Sequence, residues 1–423
     1  MGWGLGLGSN VTATVHIIGA GLAGLAAATA LAPTQRVIVH EAARLAGGRC
    51  RSYFDSTLGL TIDNGNHLLL SGNHAAQAFL ERIGAKDALV GPNECIFDFA
   101  DLPSGARWKI HPNAGRIPWW IFIASRRVPG TSAADYFDGA KLLRAAPDAT
   151  IAQIMRRRGE AWEKLWKPVF VSALNSRVEE GSAKLTAAVL RETLGAGGLA
   201  SRPRVARDGL GPAFIDPALT MLARHEATVR FGARLRALRI EGDRIAALNF
   251  SDGDVALVAD DRVILAVPPW VATELLPDVT APDEFRAILN AHFACPPPAG
   301  TPLLSGVTGA LTEWLFAFHD RLSVTVSAAD DHIDAPREEL AARIWAEVSR
   351  ITSAPAAMPP WQIVKEKRAT FAATPAQDCK RPKAETRWRN LVLAGDWIQT
   401  GLPATIEGAI RSGDRAAELM RTS

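Results

Sequence analysis

A short apolar run, Val15 to Ile18, leads without a break into Gly19, Gly21 and Gly24 at the spacing GxGxxG, and an Ala/Leu-rich stretch follows to about Leu31. Arg36 to His40 is the next strand-like run, so the pattern strand, glycine turn, helix, strand predicts a βαβ unit and a parallel sheet. Gly19 permits the tight turn, Gly21 lets backbone N–H groups approach a pyrophosphate, and Gly24 allows close helix–strand packing. Leu22 and Ala23 open the helix, whose N-terminus favours negative charge. Glu41 ends the second strand, followed by Ala42, where a carboxylate can accept both ribose hydroxyls. An acid there disfavours a 2′-phosphate. The bland alternative is a glycine loop that only turns the chain.

A second glycine turn follows, Gly47-Gly48, flanked by Arg44 and Arg49. Arg49 is placed to pair with a phosphate and Arg44 to lie near the adenosine end. Near the other terminus, Asn390 to Ala394 reads as a buried strand. It runs into Gly395-Asp396 and then into a helix expected from Pro403 to Met420, with Ala404 and Thr405 in its first turn. Asp396 is placed to hold the ribityl or pyrophosphate region, the alternative being a solvated acid in a turn. Backbone amides at the helix start would favour negative charge on a group bound there.

These motifs sit in a chain of 423 residues with 48% apolar and 22% charged residues and a formal charge of +3. That profile suits a globular protein and offers no basic field for nucleic acid. The four cysteines lie far apart with no CxxC pair, and the nine histidines are scattered, so neither a disulfide framework nor a metal site is expected. Residues 1–10 read as a disordered lead-in rather than a signal peptide. No run is long enough to span a bilayer, which makes the cytoplasm the expected compartment, with any membrane contact peripheral and on the inner face.

The organisation expected is α/β: a Rossmann-like FAD-binding domain assembled from discontinuous segments, plus a mixed α+β substrate domain. Residues 11–81, 205–270 and 388–423 are assigned to the first. Residues 82–204, mainly helical, and 271–387, mixed, are assigned to the second.

The Arg44–Ser52 stretch resembles the GG motif of the amine oxidase and phytoene desaturase flavoprotein superfamily, whose members bind extended FAD. The resemblance implies that Asp63, Asn64 and Gly65 lie near the isoalloxazine ring and that the Val229 backbone meets the adenine. Within that superfamily the chain is most similar to hydroxysqualene dehydroxylases, also called squalene-associated FAD-dependent desaturases, from about Val15 to Ala417. The residues that carry this run from Asp63 to Leu70, Trp166 to Asn175, Trp314 to Phe316, Arg368 to Pro375 and Gly395 to Gly413. Ser176 stands where the family has threonine, keeping the hydroxyl.

The resemblance implies noncovalent FAD, a long-chain triterpene substrate, and reductive loss of an allylic hydroxyl from hydroxysqualene, giving squalene for hopanoid or sterol synthesis. Carotenoid-type desaturation is the rival reading. Amine oxidation is disfavoured because the chain has only Tyr53 and Tyr136 for a paired-aromatic cage. His67 is a candidate proton donor, with a pKa near neutrality suited to the task, or else a histidine satisfying a backbone carbonyl. Asn175 either orients the leaving hydroxyl or serves a core or capping role. Glu407 reads as a buried acid beside the flavin.

Gly209-Leu210-Gly211 lacks a third glycine, so the residues name no electron donor. Finally, Trp119 to Ile123, between Arg116 and Arg126-Arg127, is either a membrane-dipping segment or a buried helix.

Overall fold

The computed structural model describes residues 13–156 and 158–422; the lead-in at residues 1–10 lies outside them. Strand β1 (Thr14–Ile18), helix α1 (Leu22–Leu31) and strand β2 (Arg36–Glu41) form the expected βαβ unit. They belong to a five-stranded parallel sheet in the order Thr228–Phe231, β2, β1, Arg262–Leu265, Leu391–Leu393. Its strands come from three separated stretches of chain. Both faces are covered, so the strands read as continuous apolar runs rather than alternating ones. Ile17, Val39, Ile264 and Leu265 are fully buried, each contributing roughly 1.5–3 kcal/mol.

A seven-stranded sheet makes the second unit, in the order Trp361–Phe371, Phe285–Phe293, Leu322–Val326, Trp314–Ala317, Leu304–Thr308, Phe97–Asp101, Arg107–Ile110. Along Phe285–Phe293 the side chains alternate. Leu289, Ala291 and Phe293 join the core under the Arg337–Thr352 helix, while Asn290 and His292 face the other way and are buried too. That polar row points at the loop carrying Asn64 and Asn66, where Asn290 donates to the Asn64 carbonyl.

Residues 82–204, in which helical turns outnumber strands, are not helical throughout. Phe97–Asp101 and Arg107–Ile110 complete the large sheet through a parallel pairing of Asp98 to Asp101 with Ser305 to Thr308. Nor is the Trp119 segment a buried helix: it is a short 3-10 turn, Trp119–Phe122, with Trp120 and Ile121 inside and Trp119, Phe122 and Ile123 exposed.

Candidate active site

Two glycine loops interlock at the C-terminal ends of the parallel strands. The Gly19 amide donates to the His40 carbonyl, and Gly19 has φ +108°. A Cβ on Gly19 would lie 2.4 Å from the Ala266 carbonyl oxygen, and one on Gly24 only 1.9 Å from that of Gly19. Three backbones therefore meet where no side chain fits. Gly21 differs, because a Cβ there would meet no protein atom within 4 Å. The second loop closes the cradle: the Gly47 amide donates to the Ala20 carbonyl, and Gly47 bridges to Gly21. Helix α1 has neither a side-chain cap nor an acid in its first turn, which leaves the N–H groups of Leu22 and Ala23 to an anion.

The adenosine side is built beside this cradle. Glu41 accepts from the Ala20 amide through Oε2 at 2.7 Å and from Ala43 through Oε1 at 2.8 Å. Each oxygen keeps a lone pair for a ribose hydroxyl. Val229 pairs with Val39 on the neighbouring strand, two residue pairs before the row that holds Glu41. Ala42 and Arg44 are exposed alongside. The open Gly21 face, the uncapped helix and the ribose acid fit a dinucleotide.

Arg49 and Asp396 join the first and last motifs in an ion pair, Nη2 to Oδ1 at 2.7 Å, and Arg49 also donates to the Ala369 carbonyl. Burial opposes the Arg49 charge, but Asp396 and then Glu366 outweigh it and hold its pKa above the ordinary value. Glu366, missed in the sequence, also accepts from Asn64 Nδ2 at 3.2 Å. Gly65 packs on the Asn290 side chain.

Arg381 was missed as well. Fully buried, its guanidinium donates to the carbonyls of Asp396 and Ile398 and to Thr400 Oγ1, fixing the loop that presents Asp396. Its signal was present but diluted among the neighbouring basic residues Lys380 and Lys383.

The structure moves one helix boundary and gives two acids structural partners. The last helix begins at Ile406, not Pro403, because Thr405 Oγ1 accepts from the Gly408 amide as its cap; Pro403 and Ala404 stay in the loop. Asp63 is a strut, accepting from Ser52 Oγ and the Leu210 amide, so the Gly209–Gly211 turn serves that contact. Burial raises its pKa. Glu407 caps the His74–Arg82 helix by accepting from the Ala75 and Ala76 amides, and it pairs with Arg411.

Asn175 ends the Lys167–Leu174 helix in the left-handed region, with φ 49°. Its Oδ1 accepts from Ala328 and its Nδ2 donates to Thr370 Oγ1 and the Arg286 carbonyl. These three hydrogen bonds fit the capping alternative.

His67 is half-buried beside Arg49, and no described residue hydrogen-bonds its ring. Burial, aided by the Arg49 charge, lowers its pKa to about 4 rather than leaving it near neutrality. Among the described residues no cluster of ligating side chains could hold a metal.

A parallel sheet bearing interlocked glycine loops, joined to a mixed seven-stranded sheet through the Asn64–Asn290 contact, defines a two-domain flavoprotein. Residues 22–421 match the family model described as flavin containing amine oxidoreductase, and the chain belongs to that family. Within it the chain groups with the hydroxysqualene dehydroxylases. It is 54% identical over 409 residues to the hydroxysqualene dehydroxylase of Rhodopseudomonas palustris, covering 96% of this chain and 98% of that one. A probable zeta-carotene desaturase of Synechococcus elongatus is only 23% identical, over 96% and 98% of the two chains. Among solved structures, a putrescine oxidase bound to putrescine superposes with a TM-score of 0.70 at 18% identity, covering 96% and 98%. That likeness concerns the fold.

Proposed function

We propose that this chain is a hydroxysqualene dehydroxylase that uses noncovalent FAD to remove an allylic hydroxyl reductively, yielding squalene. The full-length likeness to the Rhodopseudomonas palustris enzyme carries the reading. FAD rather than a smaller flavin is supported by Glu41, free to accept ribose hydroxyls, and by a cradle of two glycine loops suited to a pyrophosphate. Noncovalent attachment is supported by Cys50, the thiol next to Arg49: it is buried, and burial and then the Asp63 charge push its pKa up.

When bound and reduced, the flavin supplies hydride. The chain must hold it, bring the substrate against it, and keep water from an electron-deficient allylic carbon. Gly19, Gly21, Leu22, Ala23, Gly24, Gly47, Gly48 and the Arg49–Asp396 pair form the holding set, with Asn64 and Gly65 on the side of the large sheet. Gly395, Pro403, Ala404 and Thr405 shape the loop and helix start behind Asp396.

His67 lies beside Arg49, and among the described residues none hydrogen-bonds its ring. Neutral at physiological pH, it offers an N–H hydrogen bond to the departing hydroxyl oxygen rather than a standing acid. Asn175 is a positioning residue that locks the Lys167–Leu174 helix to the large sheet.

The test is anaerobic mixing of the reduced protein with hydroxysqualene. Squalene should form in step with flavin reoxidation. Unconsumed substrate, or a desaturated product from a carotenoid precursor with the oxidised protein, would refute the assignment.

A further inference from the structure

The large exposed apolar side chains are unevenly spread. Ile117, Trp119, Phe122, Ile123, Phe137 and Leu143 fall within one stretch of irregular 3-10 turns, with Ile117 78% and Phe122 66% exposed. They form a surface rather than a scatter, since the Phe122 and Phe137 rings meet edge to face at 6.4 Å. Isolated exposed apolar residues are ordinary, but a rimmed patch marks an interaction site.

The rim is basic. Residues 116–144 contain Arg116, Arg126, Arg127, Lys141 and Arg144 against Asp135 and Asp138, a net +3 that equals the formal charge of the whole chain. Both acids are engaged locally, Asp138 with Lys141 and Asp135 with Ser132. Arg126 lies over the Trp119 ring at 5.0 Å, and Arg127 bonds the Ile121 carbonyl, so the cations border the apolar side chains directly.

We infer that this face docks on an anionic lipid bilayer, burying Ile117, Trp119, Phe122 and Phe137 among the acyl chains while the arginines meet headgroup phosphates. Among the described residues no helix is long and apolar enough to cross a membrane, so the contact is one of lying on the surface.

Beneath the patch an aromatic column leads inward. Trp120 meets Tyr136 at 5.3 Å, Tyr136 meets Trp166 at 6.1 Å, and Trp166 meets Phe170 at 5.5 Å. Phe170 lies on the Lys167–Leu174 helix, whose end is tied to Thr370 on the strand that also supplies Glu366. If the proposed reaction is right, the docking face stands over a packed apolar core that connects it to the strand carrying Glu366. The docking itself does not require that reading.

The experiment measures sedimentation of the holoprotein with vesicles of phosphatidylcholine alone and of phosphatidylcholine mixed with phosphatidylglycerol. Binding should favour the anionic vesicles by about tenfold or more and weaken as salt is raised. Phe122→Ser with Phe137→Ser, both at exposed positions, should keep flavin content and melting temperature but lose about tenfold or more in vesicle binding. Turnover plays no part in this readout, so a failed reaction assignment leaves it intact. The inference is overturned if the parent ignores anionic vesicles, or if the double variant binds them as well as the parent does. It also fails if the patch proves to be a self-association surface, seen as a dimer that the variant converts to monomer without any vesicle binding.

Discussion

Gly21 and Gly24 are both glycines of one loop, yet they should fail in opposite ways when given a methyl group. Gly21 has φ −73° and ψ 176°, a conformation open to any L-residue, and its Cβ would meet no protein atom within 4 Å. Gly21→Ala should therefore leave the apoprotein as stable as the parent, or up to about 1 kcal/mol more stable through a less flexible unfolded chain. The methyl instead occupies space needed by the phosphates. Losing two backbone hydrogen bonds to a charged group, at about 1.5–3 kcal/mol each, weakens FAD binding by roughly two to four orders of magnitude.

Gly24→Ala drives its Cβ to 1.9 Å from the Gly19 carbonyl oxygen, a backbone atom that cannot swing away. It should cost at least about 1–3 kcal/mol of stability before any cofactor is added. Urea unfolding of deflavinated protein, paired with FAD titration by fluorescence quenching, separates the two effects. A Gly21→Ala apoprotein destabilised by more than about 1 kcal/mol, or one that binds FAD like the parent, would refute the division of labour.

Asn175→Ala should destabilise the protein by about 2–4 kcal/mol, from lost buried hydrogen bonds and left-handed strain, with Asn175→Gly milder; a drop in turnover at unchanged stability would return Asn175 to the substrate. Substrate-dependent flavin reoxidation should be flat from about pH 5 to 8, because His67 titrates near 4; a fall with midpoint near 6.5 that His67→Gln abolishes would show a working imidazolium. His16 and His40 stack as a buried pair with lowered pKa values, chiefly by burial, that of His40 to about 3. The unfolded chain thus takes up protons first, so stability present above about pH 6.5 is lost on acidification, by up to about 1.4 kcal/mol per pH unit for each histidine. Calorimetry on His40→Leu should show a shallower acid loss; an unchanged slope would count against the pair.

The nucleotide half was legible because its chemistry is local. Gly19 to Glu41 carries its turn, helix and ribose acid in consecutive residues, and backbone spacing alone dictates what fits. The Phe97–Asp101 strand was not legible, since it pairs with Leu304–Thr308 across some two hundred residues, and a short apolar run declares neither its partner nor its period. The structural partners of Glu407 and Asn175 were hidden for a related reason. A buried polar side chain that caps a distant helix and one that touches a ligand present the same letter in the sequence, and only the Ala75, Ala76 and Ala328 amides tell them apart. The low proton affinity of His67 was not legible because burial, which lowers it most, and the neighbouring Arg49 charge both come from the fold rather than from the local sequence.

The strand order of the parallel sheet also governs how this protein is made. A ribosome that has stopped short of Leu391 has already delivered the glycine cradle, Glu41 and every strand of the large sheet. It has not delivered the edge strand Leu391–Leu393, the Asp396 that neutralises Arg49, or the Ile406–Thr422 helix that packs on α1. Nascent chains therefore wait with one parallel edge bare and Arg49 without its Asp396 partner beside the phosphate cradle. Capture of the cofactor belongs to the end of synthesis, and a premature stop in the final segment should yield aggregation-prone, colourless protein rather than a weak enzyme.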